Sequence, residues 1–300
     1  MVTTEIVSEV VDKIAKQELT RRIVNTTTPH LIRAGTKMTD FEDLDSSISK
    51  LPSSLSPTDM LIYIANHKSY ADLLVILESV SRTRRAVSGL GNVYLPLSAS
   101  VEGGQHGPLV EVLYREGGKP AMLDQGIHTI NIVTENDRKV RGLESNDQQQ
   151  RRELDSIIVE PHSAMFLFPE ATLEGGRYYD DGRVKGMQRV KKRILGLILL
   201  KAQKANRNIT LLQLGITGTN HLLSAESNFL TPESFLGLLK QQVGRNQYLA
   251  KVKAREPLQL SYEKGFDADE YVMSSIAELL PEEERGFYRE KNKEKELQAA

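Results

Sequence analysis

The sequence predicts an α/β fold: a mixed, mostly parallel β-sheet flanked by helices on both faces. Three observations carry this. Short apolar runs of strand length recur along the chain, as at 61–65, 164–168 and 209–216. They alternate with longer stretches of helical period, the pattern of a sheet wound by crossover helices. Two of the runs end in polar residues with chemical capability, His67 after one and Glu170 after the other. Ligand sites in such folds lie beyond the carboxyl ends of the strands.

A chain of 300 residues is long enough to bury a sizeable core as one large domain or two small ones. Its 39 Lys and Arg balance 40 Asp and Glu, a net charge of −1, so nothing draws the whole molecule to nucleic acid. Cysteine is absent, which removes disulfides, zinc–thiolate and Fe–S sites and any thiol nucleophile, and is compatible with a reducing, cytoplasmic setting. The longest apolar run, Ile194 to Leu200, is far short of the roughly 20 residues of a membrane-spanning helix. The opening MVTTEIVSEVVDKI has acidic residues and no basic leader, so a secretory signal is not expected.

In chain order, Val7, Val10, Val11 and Ile14 share one helical face, with Thr3 and Thr4 as possible caps. Mixed charge (Glu5, Glu9, Asp12, Glu18) fits packing on the main domain better than an anionic lipid surface. Residues 1–50 are therefore expected to be an N-terminal helical segment and linker, 51–288 the main domain and 289–300 a charged tail. The Ser- and Pro-rich stretch 47–58 reads as a loop. Leu61 to Ala65 reads as a buried strand, Ala71 to Val80 as a helix, and glycine-rich 102–126 as an irregular excursion. Then follow a strand at Ile130 to Val133, a helix at Asn146 to Ile158 and a strand at Ala164 to Phe168. A helix at Val190 to Ala205, ending near Asn206, leads to strands at Ile209 to Ile216 and Leu258 to Tyr262. A helix from Asp267 to Leu280 opens on a capping pattern, Asp267 and Glu270, and stops at Pro281. The last 20 residues read as a solvated tail.

Several common signatures are missing. There is no G-x-S-x-G, no Walker A and no H-E-x-x-H, and the glycine pattern begun at Gly89 and Gly91 fails at Tyr94. The six histidines show no ligand spacing, so neither a metal nor another cofactor is expected.

What remains is Asn66-His67-Lys68-Ser69-Tyr70-Ala71-Asp72. On one continuous helix His67 and Asp72 would lie about 140° apart around the axis and miss each other. They meet if His67 sits in the strand-to-helix turn and Asp72 in the first turn of the helix, with Ser69 as N-cap. The carboxylate then fixes one imidazole nitrogen and leaves the other as a general base. The second segment is Phe168-Pro169-Glu170-Ala171-Thr172, followed by Glu174-Gly175-Gly176-Arg177. Downstream, residues 182–193 hold six basic residues and no acidic one, either a solvated helix face or a place to receive phosphate.

Asn-His-x4-Asp, a strand ending Phe-Pro-Glu-x-Thr, a Gly/Arg loop and Lys185-Gly186 before a helix resemble the glycerolipid acyltransferase (PlsC-type) family. The run from Ile276 through Pro281, Gly286 and Tyr288 is similar to the C-terminal part of bacterial members, so the resemblance covers roughly residues 55–288. It implies a glycerol-3-phosphate acyltransferase-like fold. It also implies transfer of a fatty acyl group from acyl-CoA or acyl-carrier protein to a hydroxyl of glycerol 3-phosphate or a lysophospholipid such as lysophosphatidate, in phospholipid synthesis. His67 would be the base and Asp72 its orienter. Asn66, Ser69, Glu170, Thr172, Arg177, Arg183, Lys185 and Arg138 are the expected substrate-binding residues.

The departures concern charge. Ala171 and Leu173 stand where the family usually has Gly and Arg, and Thr134 stands where a short strand usually ends in Arg. Arg177, Arg183, Lys185 and Arg138 are the nearest replacements. Two alternatives follow: an acyltransferase for an acceptor without phosphate, and a non-catalytic lipid- or acyl-carrier-binding module. Acyl products favour peripheral contact with the inner face of a membrane. The segment Arg189 to Lys204 reads as a core helix or as part of an interfacial patch.

Overall fold

In a computed structural model of the chain the described residues are 36–37, 39–69, 72–98, 115, 118–132, 147–170, 186–187, 189–190, 194–219 and 250–289. They build one mixed, mostly parallel sheet of eight strands with helices on both faces. The strands are β1 (Thr39–Asp40), β2 (Asp59–Ala65), β3 (Val93–Ser98), β4 (Ile127–Ile132), β5 (Ala164–Leu167), β6 (Asn208–Thr217), β7 (Ala250–Ala254) and β8 (Leu258–Leu260). Their order is β1-β7-β6-β2-β5-β3-β4, with β8 beside β6. The block β6-β2-β5-β3-β4 is parallel throughout, whereas β7 and β8 run antiparallel to β6.

The central strand is β2. Its register runs Leu61 beside Ala164 on one side and Leu61 beside Thr210 on the other. Being covered on both faces, it reads as a continuous apolar run rather than an alternation, and Met60 to Ala65 are fully buried. Odd positions Leu61 and Tyr63 face a core shared with α1 (Glu42–Ile48), α2 (Asp72–Ala86) and α3 (Lys119–Asp124). Even positions Ile62 and Ile64 face α4 (Asp147–Val159), α5 (Ile194–Lys204) and α6 (Ala268–Leu279). In α5, Leu195, Ile198, Leu199 and Ala202 are buried, spaced at i, i+3, i+4 and i+7, so one stripe of this helix faces the sheet. Fully burying each leucine or isoleucine contributes about 1.5–3 kcal/mol.

Helix ends are set locally. Asp267 caps α6 by accepting the N–H of Glu270 at 3.2 Å, and Leu280-Pro281 ends it. Asn206 follows α5 with φ 54°, the left-handed stop that asparagine tolerates. The N-terminus of α5 is capped from another helix: the two Asp269 oxygens accept Leu195 N–H and Gly196 N–H, both at 2.9 Å. Burial pushes the Asp269 carboxyl upward, and these two N–H donors offset only part of that.

The structure departs from the sequence expectations in five places. Residues 39–48 form β1 and α1, and Phe41, Leu44 and Ile48 join the core, so the core begins upstream of residue 51. Strand β3 was not expected, and it contains Pro96, which lacks the N–H of an inner strand. Its ladder to β5 covers only Val93 and Tyr94, and Pro96 lies past it. The irregular excursion expected at 102–126 ends in α3, whose Met122 is buried, and β4 starts at Ile127 rather than Ile130. Strand β7 was also unexpected. Its sequence AKVKA alternates two lysines with small and apolar residues, which reads as polar surface. Finally, the expected solvated tail starts too early. Residues 281–288 pack against the body, and Tyr288 is fully buried. The helix expected in residues 1–24, the strip 101–114 and residues 290–300 lie outside the described residues.

Candidate functional site

Strand β2 ends at Ala65, and the chain turns through Asn66 to Ser69 before α2 begins at Asp72. Here the backbone of β2 leaves the sheet, and a side chain takes over its ladder. Asn66 Nδ2 donates to the Ile216 carbonyl at 2.9 Å and Asn66 Oδ1 accepts the Ile216 N–H at 2.7 Å. This amide pair pins the turn to β6.

His67 and Asp72 meet as the spacing required. Asp72 Oδ2 lies 2.9 Å from His67 Nδ1 and also accepts the N–H of Lys68 at 2.7 Å and of Ser69 at 3.1 Å. Its other oxygen accepts the Thr219 hydroxyl at 2.6 Å. Asp72 is 1% exposed and these groups are donors. An acceptor-only carboxylate requires the proton on Nδ1, which leaves Nε2 with its lone pair in the neutral imidazole. Asp72 thereby does two jobs: it fixes the histidine tautomer and it caps its own helix by reaching back three residues to Ser69.

The imidazole plane is held by Phe168, just past β5, whose ring stacks on it with centroids 4.3 Å apart and planes 27° from parallel. The His67 side chain keeps 26% of its surface open, so the ring is gripped on one side and accessible on another. Glu170, three residues beyond β5, is buried and its Oε2 accepts the His67 N–H at 3.1 Å. Ends of three adjacent parallel strands, β2, β5 and β6, thus converge on one histidine.

Of the expected site residues, the structure brings Asn66, His67, Ser69, Asp72 and Glu170 together. Asn66, Ser69 and Glu170 are buried, and their contacts named above hold the His67 turn. Thr172, Arg177, Arg183, Lys185 and Arg138 lie outside the described residues. Sequence reasoning missed Thr219 and Ile216. The signal was present: the Ile-Thr-Gly-Thr run closes β6, the strand adjacent to β2, and its carboxyl end belongs to the same site. It also passed over Phe168 as the histidine's stacking partner.

Among the described residues, no cluster of three or more His, Cys, Asp or Glu is arranged to hold a metal ion. No described helix is long and apolar enough to cross a membrane. Chemically, the arrangement is an imidazole oriented through Nδ1, with no partner to Nε2 among the described residues, at the carboxyl end of a parallel sheet. Neither a scan against protein-family models nor a search of curated proteins finds a match.

Proposed function

We propose that this chain is an O-acyltransferase of the glycerolipid (PlsC-type) kind, acting on acyl-CoA or acyl-carrier-protein thioesters. The single observation that supports it best is the His67–Asp72 pair at 2.9 Å, on the turn that leaves the central strand. With Nδ1 occupied by Asp72, Nε2 takes the proton of an acceptor hydroxyl as its oxygen attacks the thioester carbonyl. The resulting oxyanion collapses, the C–S bond breaks, and the imidazolium returns its proton to the leaving thiolate. Direct transfer of this kind needs no acyl-enzyme, in keeping with a chain that has no cysteine.

The acceptor in this reading is glycerol 3-phosphate or lysophosphatidate, and the setting is cytoplasmic with peripheral contact at the inner membrane face. Arg177, Arg183, Lys185 and Arg138 are the candidate phosphate ligands. A second reading keeps the chemistry and changes the acceptor to one without phosphate. It is favoured by Leu173 and Thr134, which stand where arginines are usual in the family.

The test is thioester consumption. Purified protein receives palmitoyl-CoA or palmitoyl-acyl-carrier protein with glycerol 3-phosphate, 1-acylglycerol 3-phosphate or a lipid alcohol without phosphate, beside His67→Ala. Transfer that disappears in the variant is the expected result. Transfer only to acceptors without phosphate selects the second reading. Donor binding with no turnover on any acceptor rejects both and leaves a lipid- or acyl-carrier-binding module.

A further inference from the structure

The hydrogen bonds to the buried Asp72 carboxylate are unevenly divided. Three donors meet Oδ2: His67 Nδ1 at 2.9 Å, the Lys68 N–H at 2.7 Å and the Ser69 N–H at 3.1 Å. All three come from the turn that leads into α2. Among the described residues Oδ1 has one donor, the hydroxyl of Thr219, at 2.6 Å. It arrives from 147 residues away, and Thr219 is fully buried. A hydroxyl that donates to a carboxylate at this distance makes a charge-assisted bond, about twice as strong as one between neutral groups.

The end of β6 aims that hydroxyl. The Ile216 backbone is bonded twice to the Asn66 amide, at 2.9 and 2.7 Å, so the strand end and the His67 turn share a fixed register. The strand stops at Thr217, and Gly218 turns the chain at φ +74°, a conformation that glycine adopts without strain. Thr219 follows directly. The two threonines of this run have different tasks. Thr217 Oγ1 donates to the Lys251 carbonyl of β7 at 3.3 Å and braces the sheet, whereas Thr219 Oγ1 donates to Asp72.

We propose that Thr219 is a positioning residue for the reaction: its hydroxyl fixes the outer oxygen of the Asp72 carboxylate and draws charge onto it, which limits how tightly Oδ2 holds an imidazolium. A carboxylate shares one negative charge between two oxygens, and a donor on Oδ1 leaves less of it facing His67 Nδ1. Removing that donor leaves Oδ1 buried and unsatisfied. Oδ2 stays against the ring, because the Lys68 and Ser69 N–H groups still hold it. More of the charge then falls on Oδ2, and the protonated ring is favoured. A more tightly held imidazolium is a poorer proton donor to the leaving thiolate, so transfer slows. Of the charged side chains at this turn, Asp72 meets the ring, Glu170 meets the His67 main-chain N–H, and Lys68 pairs with Glu284. Phe168 and the end of β6 bring no charge to it. The kinetic half of this proposal rests on the acyl-transfer reading. The titration half does not.

The experiment is carried out on the full chain. The His67 imidazole is titrated by NMR in wild type, Thr219→Val, Thr219→Ser and Thr217→Val, with unfolding curves and acyl-transfer kinetics on each. Thr219→Val keeps the shape, loses the hydroxyl and is expected to raise the His67 midpoint by about half a unit. Thr219→Ser keeps the hydroxyl and should match wild type. Thr217→Val removes a hydroxyl from the same strand end without touching Asp72, and its midpoint should also match. Thr219→Val is further expected to reduce kcat about three- to tenfold with KM within about twofold, and the acid limb of kcat/KM should move up with the midpoint. An unchanged or lowered midpoint in folded Thr219→Val overturns the proposal. A midpoint that rises as far in Thr219→Ser or Thr217→Val overturns it too. If Thr219→Val does not fold, Thr219→Cys, a weaker donor, decides: a wild-type midpoint there overturns the proposal. Wild-type protein that moves no acyl group defeats the acyl-transfer reading alone, and the midpoints still decide the role of Thr219.

Discussion

The carboxylate of Glu170 accepts the backbone N–H of His67 at 3.1 Å, across 103 residues of sequence. The contact puts a buried anion against the main chain of the candidate base. Replacing Glu170 by Ala leaves that N–H without its acceptor, a loss of about 1–3 kcal/mol. Replacing it by Gln keeps an oxygen in reach and is expected to cost less than about 1 kcal/mol. Denaturant unfolding of the two variants tests the ordering. Equal stability of both with wild type would show that the contact is dispensable.

The Asp72 side chain holds four groups of the turn and its surroundings, whereas among the described residues the His67 side chain contacts only Asp72 and the Phe168 ring. Asp72→Ala removes an acceptor from His67, Lys68, Ser69 and Thr219 at once, so unfolding free energy and acyl transfer should both fall. His67→Ala should leave stability within about 1 kcal/mol of wild type. Transfer rates in both variants should drop by about 10²- to 10⁴-fold. Stability of Asp72→Ala equal to that of His67→Ala would contradict this division.

Acid unfolding should report on Asp59, at the start of β2. Burial pushes its carboxyl up, but the Ser56 N–H, the Asn208 amide and Arg207 outweigh that and hold it below its ordinary value of 3.8. A carboxyl lowered in the folded state stabilises fully above its unfolded pKa, and this contribution is lost as pH falls through the folded one. Urea midpoints measured from about pH 5 down to pH 2 should decline, and Asp59→Asn should decline less steeply. Parallel curves would remove Asp59 from the account.

Gly286→Ala tests the close approach of the C-terminal segment to Met187, whose carbonyl accepts the Phe287 N–H at 2.9 Å. A methyl group 2.2 Å from the Met187 carbonyl has to displace one backbone or the other, and φ +51° adds its own strain. The expected loss is at least about 2 kcal/mol, with acyl transfer reduced in the folded fraction as well. A variant as stable as wild type would mean that the two backbones part easily.

Most of the sheet was legible because buried parallel strands announce themselves as short apolar runs. The β2, β5 and β6 runs stand out for that reason, as does the helix pattern of α5. What stayed hidden depends on tertiary partners. Pro96 argues against a strand until the short β5 ladder is known, and the lysines of β7 argue against burial until β6 pairs with it. In the site, the local pair His67 and Asp72 was readable from spacing and chemistry. Thr219 and Ile216 were not singled out, because only the order of strands in the sheet brings the end of β6 beside residue 67. Tyr288, inside a run of charged residues, reads as surface until its burial is seen.

The supports of the dyad also set a timetable. Asn66 waits for Ile216, 150 residues on, Asp72 waits for Thr219, 147 residues on, and His67 waits for Glu170. A ribosome adding about 5–20 residues per second makes the His67 turn roughly five to twenty seconds before it reaches Glu170, 103 residues on. During that interval the nascent chain carries the base and its carboxylate but none of the distant groups that orient them. Competence therefore arrives late in synthesis, and chains cut short before Glu170 are expected to be inert rather than partly active.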